Sequence, residues 1–219
     1  SGASLAFYSV GNLNVTADLS GGNGVYLSTV GGGDIDLQAN VSSNQRVVLN
    51  ATTGNGSEGA ITQTSGKLVS APELVLSAGY GGISLNTQSA YIGLVAPGNV
   101  VITNSGATNV AGFVGSLNFT NTGNTFVNTL VSYKDNARNV SGDISIKANG
   151  NIVTTRSLTS DNNITLQTTG SDGSIILDNA LIAQDTVTLT AHGKGTIQQT
   201  NNEYYISAPN LHLSSTSGD

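Results

Sequence analysis

The chain has 219 residues, a formal net charge of −6, and only 9% charged side chains, far below the roughly 25% of an ordinary soluble domain. Seven scattered Lys and Arg form no basic stripe that would neutralise phosphates, so nucleic acid is not an expected partner. No apolar run approaches the ~20 residues needed to cross a bilayer, and the absence of Cys excludes disulfides and thiolate metal sites.

Twenty-eight Gly against three Pro, with Ser, Thr and Asn filling much of the rest, describe a β-rich chain with abundant turns. In chain order, short apolar-polar alternations follow Gly or Asn: Leu13 and Val15, then Ile35 and Leu37, Val47 and Leu49, Ile61, Leu74 and Leu76, Ile83 and Leu85, and Val100 and Ile102. The stretch 105–141 breaks this rhythm. It gathers Phe113, Phe119, Phe126 and Tyr133 and ends in the polar run Lys134–Arg138. It is expected to be irregular or to leave the fold as a loop. The rhythm then resumes at Ile144 and Ile146, Ile164 and Leu166, Ile175 and Leu177, Val187 and Leu189, and Leu211 and Leu213. Similar runs recur every 22 to 27 residues, for example from Val47 to Leu74 and from Gly173 to Gly195. Nothing sustains a helical i, i+3, i+4, i+7 stripe.

Two stretches are near-copies. Gly59–Ser77 reappears as Gly195–Ser214, the offset growing from 136 to 137 through one inserted residue, and Gly11–Ser20 resembles Gly150–Thr159 at an offset of 139. The chain is therefore divided into a module at 1–149, containing the irregular 105–141, and a partial second copy at 150–219 continuous with the first. Repetition on this scale points to architecture before chemistry.

Period-2 alternation sends every second side chain to one face. Wound into a β-solenoid, that face becomes the interior. Ile61, Leu74, Leu76, Ile83, Leu85, Ile102, Ile144, Ile146, Ile164, Leu166, Ile175, Leu177, Val187 and Leu189 then stack as continuous columns. Each contributes roughly 1.5–3 kcal/mol before ordering costs. The expected fold is all-β, a parallel β-helix of about nine coils and about 40 Å in length. The rival is a β-sandwich, which also has many short strands, though usually longer ones around larger aromatic residues.

Candidate chemistry is sparse. Asp34 and Asp36 follow Gly31–Gly33 in a faint echo of a calcium-binding β-roll, but that motif works by stacking many copies, and a polar corner is the simpler reading. Asp172, Asp178 and Asp185 lie on neighbouring turns, where a polysaccharide-cleaving β-helix would need carboxylates beside a basic group. His192 sits in a turn and His212 at the outward centre of a strand, each without a motif partner. Tyr80, Tyr91, Tyr204 and Tyr205 offer stacking surfaces for sugars, although one of Tyr204 and Tyr205 is expected to fill a core slot because the pair replaces Leu68 and Val69. Asn14 and Asn163 begin Asn-X-Thr triplets at near-chance frequency. The glycine clusters Gly31–Gly33 and Gly79–Gly82 precede no helix, so they are not phosphate loops. No residue is assigned as catalytic, cofactor-binding or metal-ligating, and no cofactor is expected.

Gly59–Gly79, Asn121–Asn128, Gly150–Thr155 and Asp161–Gln167 resemble repeats of filamentous-haemagglutinin-like giant adhesins. The resemblance implies a right-handed parallel β-helix shaft, exported by a two-partner or related route and displayed at the bacterial cell surface. The export domain of such proteins is not recognisable here, and no signal-peptide pattern is visible, so any leader is expected to have been removed or to lie outside this stretch. The expected role is a non-enzymatic structural spacer of an extracellular adhesin or fibre. Its expected partners are neighbouring modules or identical subunits end to end, and host or microbial surface glycans. One alternative is a self-assembling filament subunit that exchanges a terminal strand such as Leu5–Val10. The other is a polysaccharide-active or sugar-binding β-helix.

Overall fold

The computed structural model describes residues 2–52 and 58–216. The last three residues of the second copy lie outside them. The first region winds through β1 (Ser4–Val10), β2 (Leu13–Val15), β3 (Leu19–Gly21), β4 (Gly24–Val30), β5 (Ile35–Leu37), β6 (Val41–Ser43), β7 (Arg46–Ala51), β8 (Ala60–Gln63), β9 (Val69–Ser70) and β10 (Glu73–Ala78). The middle contains β11 (Gly82–Gln88), the 14-residue strands β12 (Tyr91–Asn104) and β13 (Thr108–Asn121), β14 (Thr125–Ser132), β15 (Lys134–Asp135) and β16 (Val140–Ser141). The last region runs through β17 (Ile144–Ala148), β18 (Ile152–Thr154), β19 (Leu158–Ser160), β20 (Ile164–Thr168), β21 (Ile175–Leu177), β22 (Leu181–Ala183), β23 (Thr186–Ala191), β24 (Ile197–Gln199), β25 (Ile206–Ser207) and β26 (Asn210–Ser215).

Twenty-four of these strands form one sheet, joined throughout by parallel pairs. The chain is thus all-β with a long parallel sheet of many strands, compatible with a β-solenoid. The two opposed antiparallel sheets of a sandwich are not its architecture. Among the described residues the one antiparallel pair is β15 with β16.

Pairing defines two ladders. Ladder one carries Leu5, Val25, Val47, Leu74, Ile92, Val110 and Val127 in successive register. Ladder two carries Leu85, Ile102, Phe119, Ile146, Leu166, Leu189 and Leu213. Because side chains alternate along a strand, one column of each pair of positions is kept from water along the whole ladder. All 14 residues assigned to the interior from sequence are buried, each at 4% exposure or less. Polar residues hold the outer face: Thr103, Thr120, Lys147, Gln167 and Thr190 follow one another in register.

The stretch 105–141 departs from expectation. It is regular as far as Ser132: β13 and β14 sit in the ladders, with Phe119 fully buried between Ile102 and Ile146. What interrupts the sequence rhythm is a shorter step. The offset between successive layers here is 17 residues, as from Thr87 to Asn104 and from Asn104 to Asn121. In the first region it is 22 to 27. Only 133–142 leaves the ladders. This excursion is the β15–β16 hairpin around a 3₁₀ turn at Asn136–Arg138, closed by Asn139 in the left-handed region at φ 55°.

Candidate functional site

Hydrogen-bonding side chains at the corners come first, because they explain most of the polar residues. The carboxamide of Asn12 accepts the backbone N–H of Asp34 (2.9 Å), and Asp34 Oδ1 accepts that of Ala60 (2.8 Å), one layer further on. The same relay joins Asp18 to Asn40 (2.9 Å) and Asn40 to Leu68 (3.0 Å). Later it joins Asn124 to Asn151 and Asn151 to Ser174, both at 2.8 Å. Each corner carboxyl or carboxamide satisfies a backbone donor that the turn would otherwise leave unpaired. Asp36 accepts from Gln38 Nε2 (2.8 Å) and Thr62 Oγ1 (3.2 Å). The Asp34–Asp36 pair therefore works as corner chemistry. Among the described residues no group of three or more His, Cys, Asp or Glu converges on a point where a metal ion could sit.

Asp18 shows the electrostatic consequence. The backbone N–H and side-chain amide of Asn40 hold its carboxyl below the ordinary carboxylate range. Inside the fold a second polar ladder runs beneath one corner. Asn104 Oδ1 accepts from Thr87 Oγ1 (2.9 Å) and the Ser89 backbone N–H (3.0 Å). Asn104 Nδ2 donates to Asn121 Oδ1 (3.2 Å), and Asn121 Nδ2 donates to Thr125 Oγ1 (3.0 Å). All five residues are buried. Connected amides of this kind fix register, because a slip would leave donors buried and unmet.

The other sequence candidates are dispersed. Asp178 accepts from Thr200 Oγ1, Asp185 from Asn210 Nδ2 (3.2 Å) and Asp172 from Ser171 Oγ (3.2 Å), each a local contact. His192 lies in its turn with Nδ1 buried and unpartnered, and His212 is exposed opposite Thr188. Asn14 is exposed, whereas Asn163 donates its amide to Asp143 Oδ1 (2.9 Å) as part of a corner. The expectation for the tyrosine pair is corrected. Ile206 takes the slot of Val69, while Tyr205 is 56% exposed. The inserted residue shifts the tyrosines outward by one place.

Tyr80 is occupied too. The guanidinium carbon of Arg138 lies 4.1 Å from its ring centroid, a cation–π contact that ties the 133–142 excursion back onto the body. Asp135 accepts from Arg138 Nη1 at 3.1 Å and raises the guanidinium pKa further. Val140 is buried, so the hairpin is pinned at both ends.

What remains open is an outer groove of about 430 Å³ lined by Glu73, Val75, Tyr91, Gly93, Val95, Ala111 and Phe113. Tyr91, Val95 and Phe113 are 37%, 52% and 49% exposed. A smaller hollow joins Phe113 to Tyr133. Sequence reasoning named Tyr91 but missed the groove. The available signal was parity: Ile92 and Leu94 point inward, so Tyr91, Gly93 and Val95 must share the outer face. The two ends of the sheet are the other apolar exposures, with Phe7 at 43%, Leu211 at 47% and Leu213 at 57%.

Corner relays, a polar outer sheet and an aliphatic interior together define a long parallel all-β scaffold. No protein-family model, no curated protein and no solved structure matches the chain.

Proposed function

We propose that this chain is a stiff, non-catalytic shaft segment of an extracellular bacterial adhesin or surface fibre, wound as a right-handed β-helix of about nine coils. The observation that supports this reading is the unbroken parallel pairing from β1 to β26 over continuous buried columns. In such a rod the backbone hydrogen bonds between layers run along the axis and share load, and the interior excludes water. The side chains with the chemistry for catalysis are spent on corners, which is what a scaffold needs from them. The test is display: antibodies raised against the folded chain label intact producing cells, and the folded segment survives protease applied to those cells. Labelling only after lysis would overturn the location. Turnover of any glycan in a broad panel would overturn the non-catalytic reading.

The exposed Tyr91–Phe113 groove favours a second reading, a shaft that also holds glycans, since sugar rings stack on aromatic faces. Binding on a glycan array that disappears in Tyr91→Ala and Phe113→Ala supports it, and an unchanged or blank array removes it.

A further inference from the structure

We propose that the two ends of the sheet are complementary halves of one interface, and that each takes the opposite end of a second copy of this chain. The inference rests on the structural-rod reading and adds the partner, the residues and the register.

The first observation is the chemistry of the ends. Among the described residues β1, β2 and β3 pair only with β4, β5 and β6, and β24, β25 and β26 only with β21, β22 and β23. One row of backbone donors and acceptors is thus free at each end. The side chains continuing the interior columns lie bare. Phe7 is 43% exposed although its register partner Leu27 is at 1%, and Leu213 is 57% exposed although its partner Leu189 is at 0%. Neither edge strand carries the Lys, Pro or inward charge that ordinarily blunts an open edge.

The second observation is internal precedent. β24–β26 is the near-copy of β8–β10, and that copy is covered: Ile61 pairs with Ile83, Leu74 with Ile92 and Leu76 with Leu94. β1–β3 corresponds in the same way to β17–β19, and that edge is covered by β13 and β14, with Leu117 on Ile144 and Leu130 on Leu158. Both open edges are therefore repeats of edges that accept parallel strands within this molecule.

The third observation is fit. Each end presents one long strand and two short ones: β1 with β2 and β3, and β26 with β24 and β25. Long-on-long, short-on-short stacking already occurs where β4, β5 and β6 meet β7, β8 and β9. The same register places Leu5 on Leu211, Phe7 on Leu213, Leu13 on Ile197 and Leu19 on Ile206. β1 belongs to ladder one and β26 to ladder two, so each added copy turns about the rod axis. The contact is head to tail, and such contacts build open chains rather than two-fold dimers.

The experiment uses two variants of the whole chain, Leu5→Lys with Phe7→Lys at one end and Leu211→Lys with Leu213→Lys at the other. Sedimentation of the unmodified chain is expected to show mass growing with concentration, whereas each variant alone stays monomeric. An equal mixture of the two variants keeps one intact end of each kind and is expected to stop at a dimer. Tyr8→Lys, outward on the same strand, leaves assembly unchanged. An unmodified chain that is monomeric throughout, a single-end variant that still forms chains, or a mixture that stays monomeric overturns the interface. Circular dichroism and small-angle scattering of the monomeric variants read the rod separately. A variant that keeps its strand content and elongated profile without assembling sinks the interface alone, whereas a compact profile sinks the rod.

Discussion

The regions before and after the middle strands are built alike and placed differently. In the first, the long strands β4, β7 and β10 stand in ladder one, with the short strands β5, β6, β8 and β9 in ladder two. In the last, the long strands β20, β23 and β26 stand in ladder two, with β21, β22, β24 and β25 in ladder one. Near-identical sequence, Gly59–Ser77 and Gly195–Ser214, thus folds to the same long-short-short unit on opposite ladders. The difference arises in the middle, where β12 and β13 each span both ladders and the step shrinks to 17 residues. A module's shape is local, while its position around the rod is inherited from the layers beneath.

Gly112 is where the exchange happens, and breaking it should have the largest effect. Ladder one shifts register between Val110 and Gly112, turning one long strand into two short ones. Gly112 has φ +145°, and an added Cβ would lie 2.0 Å from the carbonyl oxygen of Leu94. Gly112→Ala is expected to cost about 4 kcal/mol or more, since backbone must move in two layers. Urea unfolding measures it, and a loss below about 1 kcal/mol would remove the switch role.

The next comparison sets a ladder interior against its end. Leu189 and Leu213 are register partners, one fully buried and one mostly exposed. Leu189→Ala is expected to cost about 2–5 kcal/mol and Leu213→Ala well under half of that, measured on dilute monomer. Equal losses would mean that the end is covered in solution.

Thr154 sharpens the comparison between the two halves of ladder one. It lies in register between Val127 and Leu177, fully buried, with its hydroxyl unpartnered. Replacing it by Val removes an unmet polar group at nearly constant volume, so Thr154→Val is expected to stabilise by about 1 kcal/mol. A destabilised variant would show that the hydroxyl has a partner.

Asp18 gives the smallest effect. Its folded carboxyl titrates below the ordinary range, so the stabilisation is present above the unfolded value, roughly pH 3.9, and disappears as pH falls through the folded one. Asp18→Asn keeps the acceptor for the Asn40 N–H and should flatten the acid limb of the stability curve slightly while leaving neutral pH nearly unchanged. An identical acid limb would show that the contact contributes nothing.

Much of this was legible in the residues. Alternation located the buried columns, because inward and outward positions differ by a single step along a strand, and repetition revealed the module. Phe119 and its surroundings were misjudged because the reasoning expected a constant step, and a 17-residue layer of two long strands looks arrhythmic beside a 22- to 27-residue layer. The outer groove was missed because its walls come from three layers whose lateral alignment no single strand encodes.

Sequence alone settled that these strands would hide one face, turn at Gly and Asn, and repeat as a unit, since each of those properties acts within a few residues. Tertiary structure decided which ladder each copy occupies, where Gly112 splits a strand, and that Arg138 clamps the excursion onto Tyr80. Those outcomes depend on hydrogen bonds and contacts between layers far apart in the chain, and only the stacked neighbours fix them.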